Sequence, residues 1–448
     1  MTDLTDDGPR SFFGSPRPRL GPAFLIYFHI GVCCLSLVYV AEFYGHLQII
    51  MFDGNRLQWA TLNIFPFAIV SILFTFAEFS FGYVLGFYFY TMVLGYLWLV
   101  VFSKFHYDHS LAALSAFASA LAFILPALFI TSPVKQRYVL SARAFERLLL
   151  SILIFAAAIA TIGVVHNFRL VGVTEIYKFR AELNFPTWLR YAMGVTTNAL
   201  LPFAFACFFA RGQIFRATGV ILLLSLFYPI TLSKASLFAA FWLLFLALLS
   251  RLFEVRGAVV ISLLLPTSIG VMLVLLFKVQ VLSHSQIAVY FGTVNFRMIA
   301  LPSIGLDLYS DFFSTHDLTY FCQINFLKSL VSCPYNEPLA LLMQRTYQIG
   351  NFNASLFATE GIASVGLIAA PAAVLACGLL ISLGNRLSCG LPPKFILLSM
   401  GMLPQVFLNV PLTIAFLTNG TAIIFLLWYI TPRTIFSLDA GKRTAVAS

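Results

Sequence analysis

Apolar runs of about 20 residues recur along the chain, separated by short polar breaks. Runs of that length predict membrane-crossing helices, because barrel strands are only about 10 residues long and alternate in polarity. Twelve are expected: Pro22–Phe43, Leu57–Ala77, Tyr83–Phe102, Ala112–Ile130, Leu148–Val165, Tyr191–Ala210, Ala217–Ile230, Ser236–Ser250, Ala258–Phe277, Ile362–Leu383, Phe395–Val410 and Thr413–Ile430. The seventh and eighth are short and flank a break at Thr231-Leu-Ser-Lys-Ala-Ser236. The expected fold is all-α: one polytopic membrane domain over residues 1–448, with a large external loop from about Lys278 to Gly361.

Composition agrees with that pattern. Of the 448 residues, 60% are hydrophobic and 10% charged, against about 25% charged in soluble domains. A soluble enzyme could not hide so much apolar surface. The net charge of +10 would suit a nucleic-acid binder, but the basic residues sit at span ends, where membrane orientation places them. With the N-terminus inside, cytoplasmic segments hold 16 of the 27 Lys and Arg, and every long cytoplasmic connection is basic. Both termini are then expected on the cytoplasmic side. Met1–Leu20 is polar and carries three acids, so it does not read as a cleavable signal peptide.

Two external loops remain. The first runs from about His166 to Arg190. In the second, Asn336-Glu-Pro338 predicts a helix start and Gly350 its end, while Ser314-Thr-His-Asp317 predicts another start, with that helix ending near Val331. Cys322 and Cys333 are the external cysteines. They pair if the compartment is oxidising, but as the two ends of one helix they would stand about 16 Å apart.

Candidate chemistry concentrates in the same loops. Arg180 and Arg190 lie in the first, within Tyr177-Lys-Phe-Arg180 and Thr187-Trp-Leu-Arg190; Arg297 lies in the second. Arginine binds phosphate bidentately and keeps its charge when desolvated. The plainer role for each is a headgroup anchor. Lys234 either snorkels to the interface or faces a polar cavity. Glu360 suits a base, an arginine partner, or a carboxylate at a helix N-terminus. His316, near an expected helix start, has nothing close in sequence to complete a triad. Asp307, Asp311 and Asp317 share no ligand spacing, so no metal site is expected. Asn353-Ala-Ser355 matches a glycosylation sequon.

The ordered set from Arg137 to Leu383 resembles the O-antigen, or oligosaccharide repeat-unit, polymerases of the Wzy type, in the polymerase–ligase superfamily. The features that carry it are the arginine loop before the sixth span and the Ser233-Lys-Ala-Ser236 break. After them come Arg297-x-x-x-Leu301, Tyr309-Ser-Asp-Phe-Phe313, Gly350-Asn-Phe-Asn353 and Glu360-Gly-Ile-Ala-Ser-Val-Gly366. Gly350 stands where the related ligases carry a histidine, which favours polymerase over ligase. The resemblance implies a glycosyltransferase acting on the outer leaflet of the bacterial inner membrane. One undecaprenyl-pyrophosphate-linked glycan is transferred to a sugar hydroxyl on another, with no cofactor or metal and no nucleic acid involved. It also implies a chain-length regulator protein as partner, besides membrane lipids. On this reading Arg180, Arg297 and Glu360 are catalytic, and Arg190, Lys234, His316, Asn351 and Asn353 bind substrate. The competing reading is a lipid-linked oligosaccharide flippase or another multi-span transporter, although the long loop after the ninth span breaks the repeat symmetry usual there. A membrane acyltransferase would want a histidine inside a span; His29 is there, but with no Asn or Asp partner near in sequence.

Overall fold

The structure, a computed structural model, describes residues 20–47, 49–172, 175–180, 182–324, 327, 330–349 and 353–436. Among them, 11 helices are long and apolar enough to cross a membrane by length and composition. Extended pairing is limited to an isolated bridge between Ile50 and Ser103. The chain is an all-α polytopic membrane protein.

The first nine expected spans form. They are α1 (Leu20–Phe43), α2 with α3 (Leu57–Val70 and Leu73–Phe76), α4 (Phe81–Leu99), α5 (His109–Phe129) and α6 (Ala142–His166). After the short α7 (Ile176–Arg180) come α8 with α9 (Thr187–Val195 and Leu201–Ala210), α10 (Ile214–Thr231), α11 (Lys234–Leu252) and α12 (Val255–Lys278). Polar caps fix the starts of several. Ser80 accepts from Tyr83 N–H, Asp108 from Leu111 N–H and Ser141 from Ala144 N–H, satisfying donors that a helix start leaves orphaned.

Successive helices alternate in direction, so the bundle has two ends. At the loop end, Lys278 Nζ donates to Glu42 at 2.8 Å. At the basic end, Arg256 donates to the Ala77 carbonyl at 3.1 Å and Arg211 pairs with Glu146. The central pillar is α4: the Phe81–Phe102 span is 94% buried. Aromatic rings surround it, Phe67 on Tyr90, Phe123 on Phe89 and Trp428 on Phe81.

Beyond Lys278 the architecture departs from the expectation. The segment read as loop contains a continuous apolar helix, His284–Thr315, made of α13 (His284–Phe291), a π-helical stretch (Gly292–Ala300) and α14 (Leu301–Thr315). It does not run from one end to the other. The His284 ring lies 5.6 Å from Phe43 at the loop end. Asn295 then reaches Ser36 (2.8 Å) and the Thr267 carbonyl (3.1 Å) near mid-bundle, and Ser303 reaches the Met92 carbonyl (2.8 Å). Asp307 is back at the loop end, bonded to Ser103 at 2.9 Å. Buried polar residues such as Asn295 and Ser303 bond α1, α4 and α12, and such polarity makes the segment the least hydropathic of the eleven and gives the sequence the look of a loop. The helix expected to start at Ser314–Asp317 is absent: α14 stops at Thr315 and turns follow. The one expected after Pro338 forms as α15 (Leu339–Tyr347).

The last three expected spans also change. Phe357 packs 4.9 Å from Phe89 and 5.7 Å from Phe123, both near mid-bundle. A π-helical stretch (Phe357–Ala363) rises from there toward the loop end. Gly366, with φ 76° and ψ 171°, reverses the chain, a conformation open to glycine. The rest of α16 (Ser364–Ser388) then descends to the basic end, where Asn385 donates to the Ala127 carbonyl at 2.7 Å. The expected tenth span is thus a half-depth helix folded onto a full one.

The expected eleventh and twelfth spans are broken into α17 (Pro393–Ser399), α18 (Leu403–Phe407), α19 (Leu412–Leu417) and α20 (Thr421–Ile430). Phe436 packs 4.9 Å from Phe395, and Leu140 N–H bonds the Ile430 carbonyl at 3.1 Å, so both arms root at the basic end. The apex lies near mid-bundle, where Asn198 donates to Asn419 at 2.9 Å. Ten residues of α20 span about 15 Å, half of a hydrocarbon layer about 30 Å thick. Pro404, Pro411 and Gly420 punctuate a run whose apolarity alone reads as two crossings. Irregular backbone is tolerated at this depth where protein surrounds it.

Candidate functional site

The three non-crossing segments converge between α4, α5 and α16. Helix α14 packs on α4 and on the half-helix 357–363, which lies along α16. This brings two carboxylates into the bundle.

Glu360 is 3% exposed. Its Oε1 accepts from Leu412 N–H at 2.9 Å, and its Oε2 from the Thr359 hydroxyl at 2.5 Å. The carboxylate therefore joins the half-helix from the loop end to the hairpin from the basic end. It lies in the first turn of its own π-helical stretch, one of the roles its sequence position suggests, and it also bonds the start of α19. On the other side Gln323 donates to the Thr359 carbonyl (3.3 Å) and to Ser364 Oγ (2.8 Å). The backbone N–H groups of Thr319 and Tyr320 bond the Ala363 (2.8 Å) and Ser364 (3.1 Å) carbonyls. The segment 319–324 is thereby strapped over the top of the half-helix.

That strap is closed by the Cys322–Cys333 disulfide, whose Cα atoms are 5.3 Å apart. Of the two alternatives the sequence leaves open, pairing is the one found. The described residues between Cys322 and Cys333 are turns and bends rather than helix, so the 16 Å separation does not arise.

Asp307, 2% exposed, accepts from Ser103 at 2.9 Å and from the Tyr107 hydroxyl. Tyr107 also meets Tyr96 at 3.2 Å. Burial, and then the Asp307 carboxylate, pushes the Tyr107 phenol far above its usual range, so it stays a donor. One turn on, Asp311 accepts from Tyr347 at 2.6 Å, and burial pushes that phenol up as well, ahead of the aspartate. Neither acid reads as a ligand in the sequence, because the two share no metal spacing. The signal was there: two carboxylates four residues apart in an aromatic-rich apolar segment, where an ionisable group marks a functional site by default.

The other expected site residues spread along the loop end. Arg297 is exposed, in the π-helical stretch between buried Asn295 and Ile299. Lys234 is the first residue of α11, after the Thr231–Ser236 hydroxyl contact of 3.0 Å, and is half-buried. Arg190 is exposed on α8 and donates to Thr187 at 3.2 Å. His316 is exposed and stacks on Phe312 at 3.9 Å; its Nδ1 lies 2.9 Å from the Phe312 carbonyl. Asn353 is exposed where the chain dips toward Phe357, while Ser355 of the sequon is buried. Arg180 closes α7, but its side chain lies outside the described residues, as does Asn351. His29 is buried, paired with Thr91 (3.0 Å) and Cys33 (3.4 Å). Among the described residues no cluster of His, Cys, Asp and Glu has the makings of a metal site.

Comparison of the chain with protein-family models, curated proteins and solved structures found no match.

Proposed function

We propose that this chain is a membrane glycosyltransferase that polymerises undecaprenyl-pyrophosphate-linked oligosaccharide repeat units on the outer face of a bacterial inner membrane. One observation carries the reading. The two segments that enter the bundle without crossing it, 284–315 and 353–366, both come from the loop end, opposite the arginine-rich end, and carry Arg297, Asp307 and Glu360 with them. The positive-inside tendency assigns the arginine-rich end to the cytoplasm. The strap disulfide suits an oxidising compartment at the other end.

In the reaction an acceptor sugar hydroxyl attacks the anomeric carbon of the donor glycan. The C–O bond to lipid pyrophosphate breaks, the pyrophosphate leaves with the bonding pair, and the hydroxyl proton passes to a base or to water. The leaving group is already activated, so the main demand on the protein is to stabilise charge that grows on pyrophosphate. Arg297 and Arg180 take that role, with Lys234 beneath and Arg190 at the rim. Asn351, Asn353 and His316 face the sugars.

A second reading, a lipid-linked oligosaccharide flippase, gains support from the half-depth segments that meet at Glu360 and Leu412, because discontinuous helices meeting near mid-bilayer are a transporter feature. Glycan profiling of a deletion strain separates the two. Single-repeat glycans on the cell surface with no longer chains are expected for a polymerase. Absence of any surface glycan would replace it with the transporter, and a wild-type profile would remove both.

A further inference from the structure

Glu360 is one of two buried acids that non-crossing segments carry into the bundle. Each of its oxygens accepts one hydrogen bond, from Leu412 N–H of the C-terminal hairpin at 2.9 Å and from the Thr359 hydroxyl of its own turn at 2.5 Å. A general base needs access for the substrate whose proton it takes. At 3% exposure Glu360 offers none. One of its donors, Leu412 N–H, belongs instead to a second half-depth element rooted at the opposite end of the molecule.

We propose that Glu360 is a positioning residue, a latch that holds the half-helix 357–363 against the apex of the C-terminal hairpin and so fixes the inner wall of the site. The need for a latch follows from the architecture. A helix that spans the bilayer is held at a fixed depth by its two ends, whereas a half-depth segment is anchored at one end only. The half-helix hangs from the reversal at Gly366 and the hairpin stands on the basic end. They touch where the carboxylate bonds the Leu412 N–H. That donor follows Pro411 and, at the start of α19, has no partner within its own helix. A buried acceptor satisfies it, and charge-assisted hydrogen bonds are roughly twice as strong as neutral ones. The half-helix in turn packs on α14, which continues from the stretch that bears Arg297. Slippage at the latch would thus reach the proposed phosphate-binding arginine without Glu360 touching substrate.

The proposal rests on the glycosyltransferase reading only for its activity readout, so the test has two arms. The first uses full-length protein purified in detergent and thermal unfolding. The variants are Glu360→Ala, Leu412→Pro, Leu412→Ala and the Glu360→Ala/Leu412→Pro double. Proline deletes the 412 N–H, and it fits there because Pro411 is already extended (φ −55°, ψ 153°) and residue 412 is the first of its helix. The alanine variant keeps the N–H and controls for the lost side chain. The latch predicts that Glu360→Ala and Leu412→Pro each lower Tm, beyond any effect of Leu412→Ala, and that the double variant is no worse than Glu360→Ala alone. Strictly additive Tm losses would overturn it, whatever reaction the protein catalyses. The second arm measures polymer formation against pH. Glu360→Gln keeps an acceptor oxygen, so polymer yield is expected within about tenfold of wild type with an unshifted pH profile, while Glu360→Ala falls at least another tenfold. If Glu360→Gln is as inactive as Glu360→Ala and the acidic limb of the profile vanishes, Glu360 is the base and the latch is wrong. If no variant and no wild-type protein makes polymer, the glycosyltransferase reading fails and the first arm alone decides the latch.

Discussion

The Tyr107 hydroxyl donates to Asp307 across 200 residues of sequence and ties the α4–α5 connection to α14. With Ser103, it gives a carboxylate that is 2% exposed its two donors. Removing one leaves a buried acceptor half-satisfied, which costs about 1–3 kcal/mol. Tyr107→Phe is therefore expected to lower the Tm of the purified protein, and Tyr107→Phe with Asp307→Asn to lower it by less than the two single losses combined. Because the folded protein holds this phenol protonated while an unfolded tyrosine titrates near pH 10, the folded state binds more protons above about pH 10 and loses stability as pH rises. That alkaline decline should be shallower in Tyr107→Phe. A variant as stable as wild type at neutral pH, with the same alkaline slope, would show that the bond contributes nothing.

The Cys322–Cys333 bond closes a loop of 11 residues' separation, and in the chain-entropy picture such a closure is worth about 3 kcal/mol. Its loss falls on the strap that caps the half-helix. Reductant, or Cys322→Ala with Cys333→Ala, is expected to raise hydrogen exchange at Thr319 and Tyr320, whose N–H groups bond the half-helix carbonyls, and to leave α4 and α5 protected. Mass spectrometry of the non-reduced protein should find the linked peptide. Free thiols at both positions would contradict the bond.

Most of the bundle is legible in the sequence because a helix in lipid has one requirement, an unbroken apolar stretch of sufficient length, and the nine spans up to α12 meet it. Depth is not legible in the same way. Residues such as Leu408 and Phe416 are apolar because protein surrounds them, and nothing in their hydropathy says that the chain turns back at Asn419. The error at 284–315 has the opposite sign. Asn295, Ser303 and Asp307 are polar because they bond α1 and α12, α4, and the α4–α5 connection, and polarity in a helix reads as loop when its partners are far off in sequence. Glu360 stands out in the sequence as an ionisable group at the start of an apolar run, yet its partner at Leu412 is a backbone N–H, which carries no sequence signature at all.

The half-depth hairpin makes the topology testable. Cysteines introduced at Asn55 and Ser314 are expected to react with an impermeant maleimide from one side of the membrane. Those at Tyr138 and Gly390 should react from the other side. A cysteine at Ala422 should react from neither, since the arm that bears it starts near mid-bundle. Labelling of the last position from the same side as Ser314 would mean that the hairpin crosses fully, and the half-depth arrangement would have to be abandoned.

Arg297 decides whether the site lies where we place it. It is exposed although its neighbours Asn295 and Ile299 are buried, and it sits on a segment that enters from the loop end and reaches near mid-bundle. An ionisable group carried into a membrane bundle marks a functional site by default. Loss of a bidentate contact to a desolvated phosphate should cost about 2–4 kcal/mol, or roughly 30- to 1,000-fold in rate. Arg297→Ala is thus expected to lower polymer amount by that factor at normal membrane level. Arg180→Ala should do the same if the two arginines share the pyrophosphate, and Arg190→Ala, which alters a side chain bonded to Thr187 at the rim, should have the smaller effect. Lysine at 297 separates two explanations, since it keeps the charge but gives up the planar fork. Partial rescue fits bidentate binding, whereas full rescue leaves only a charge requirement. Wild-type polymer from both alanine variants, with expression unchanged, removes the arginines from the site and with them the reason to locate pyrophosphate at this end of the bundle.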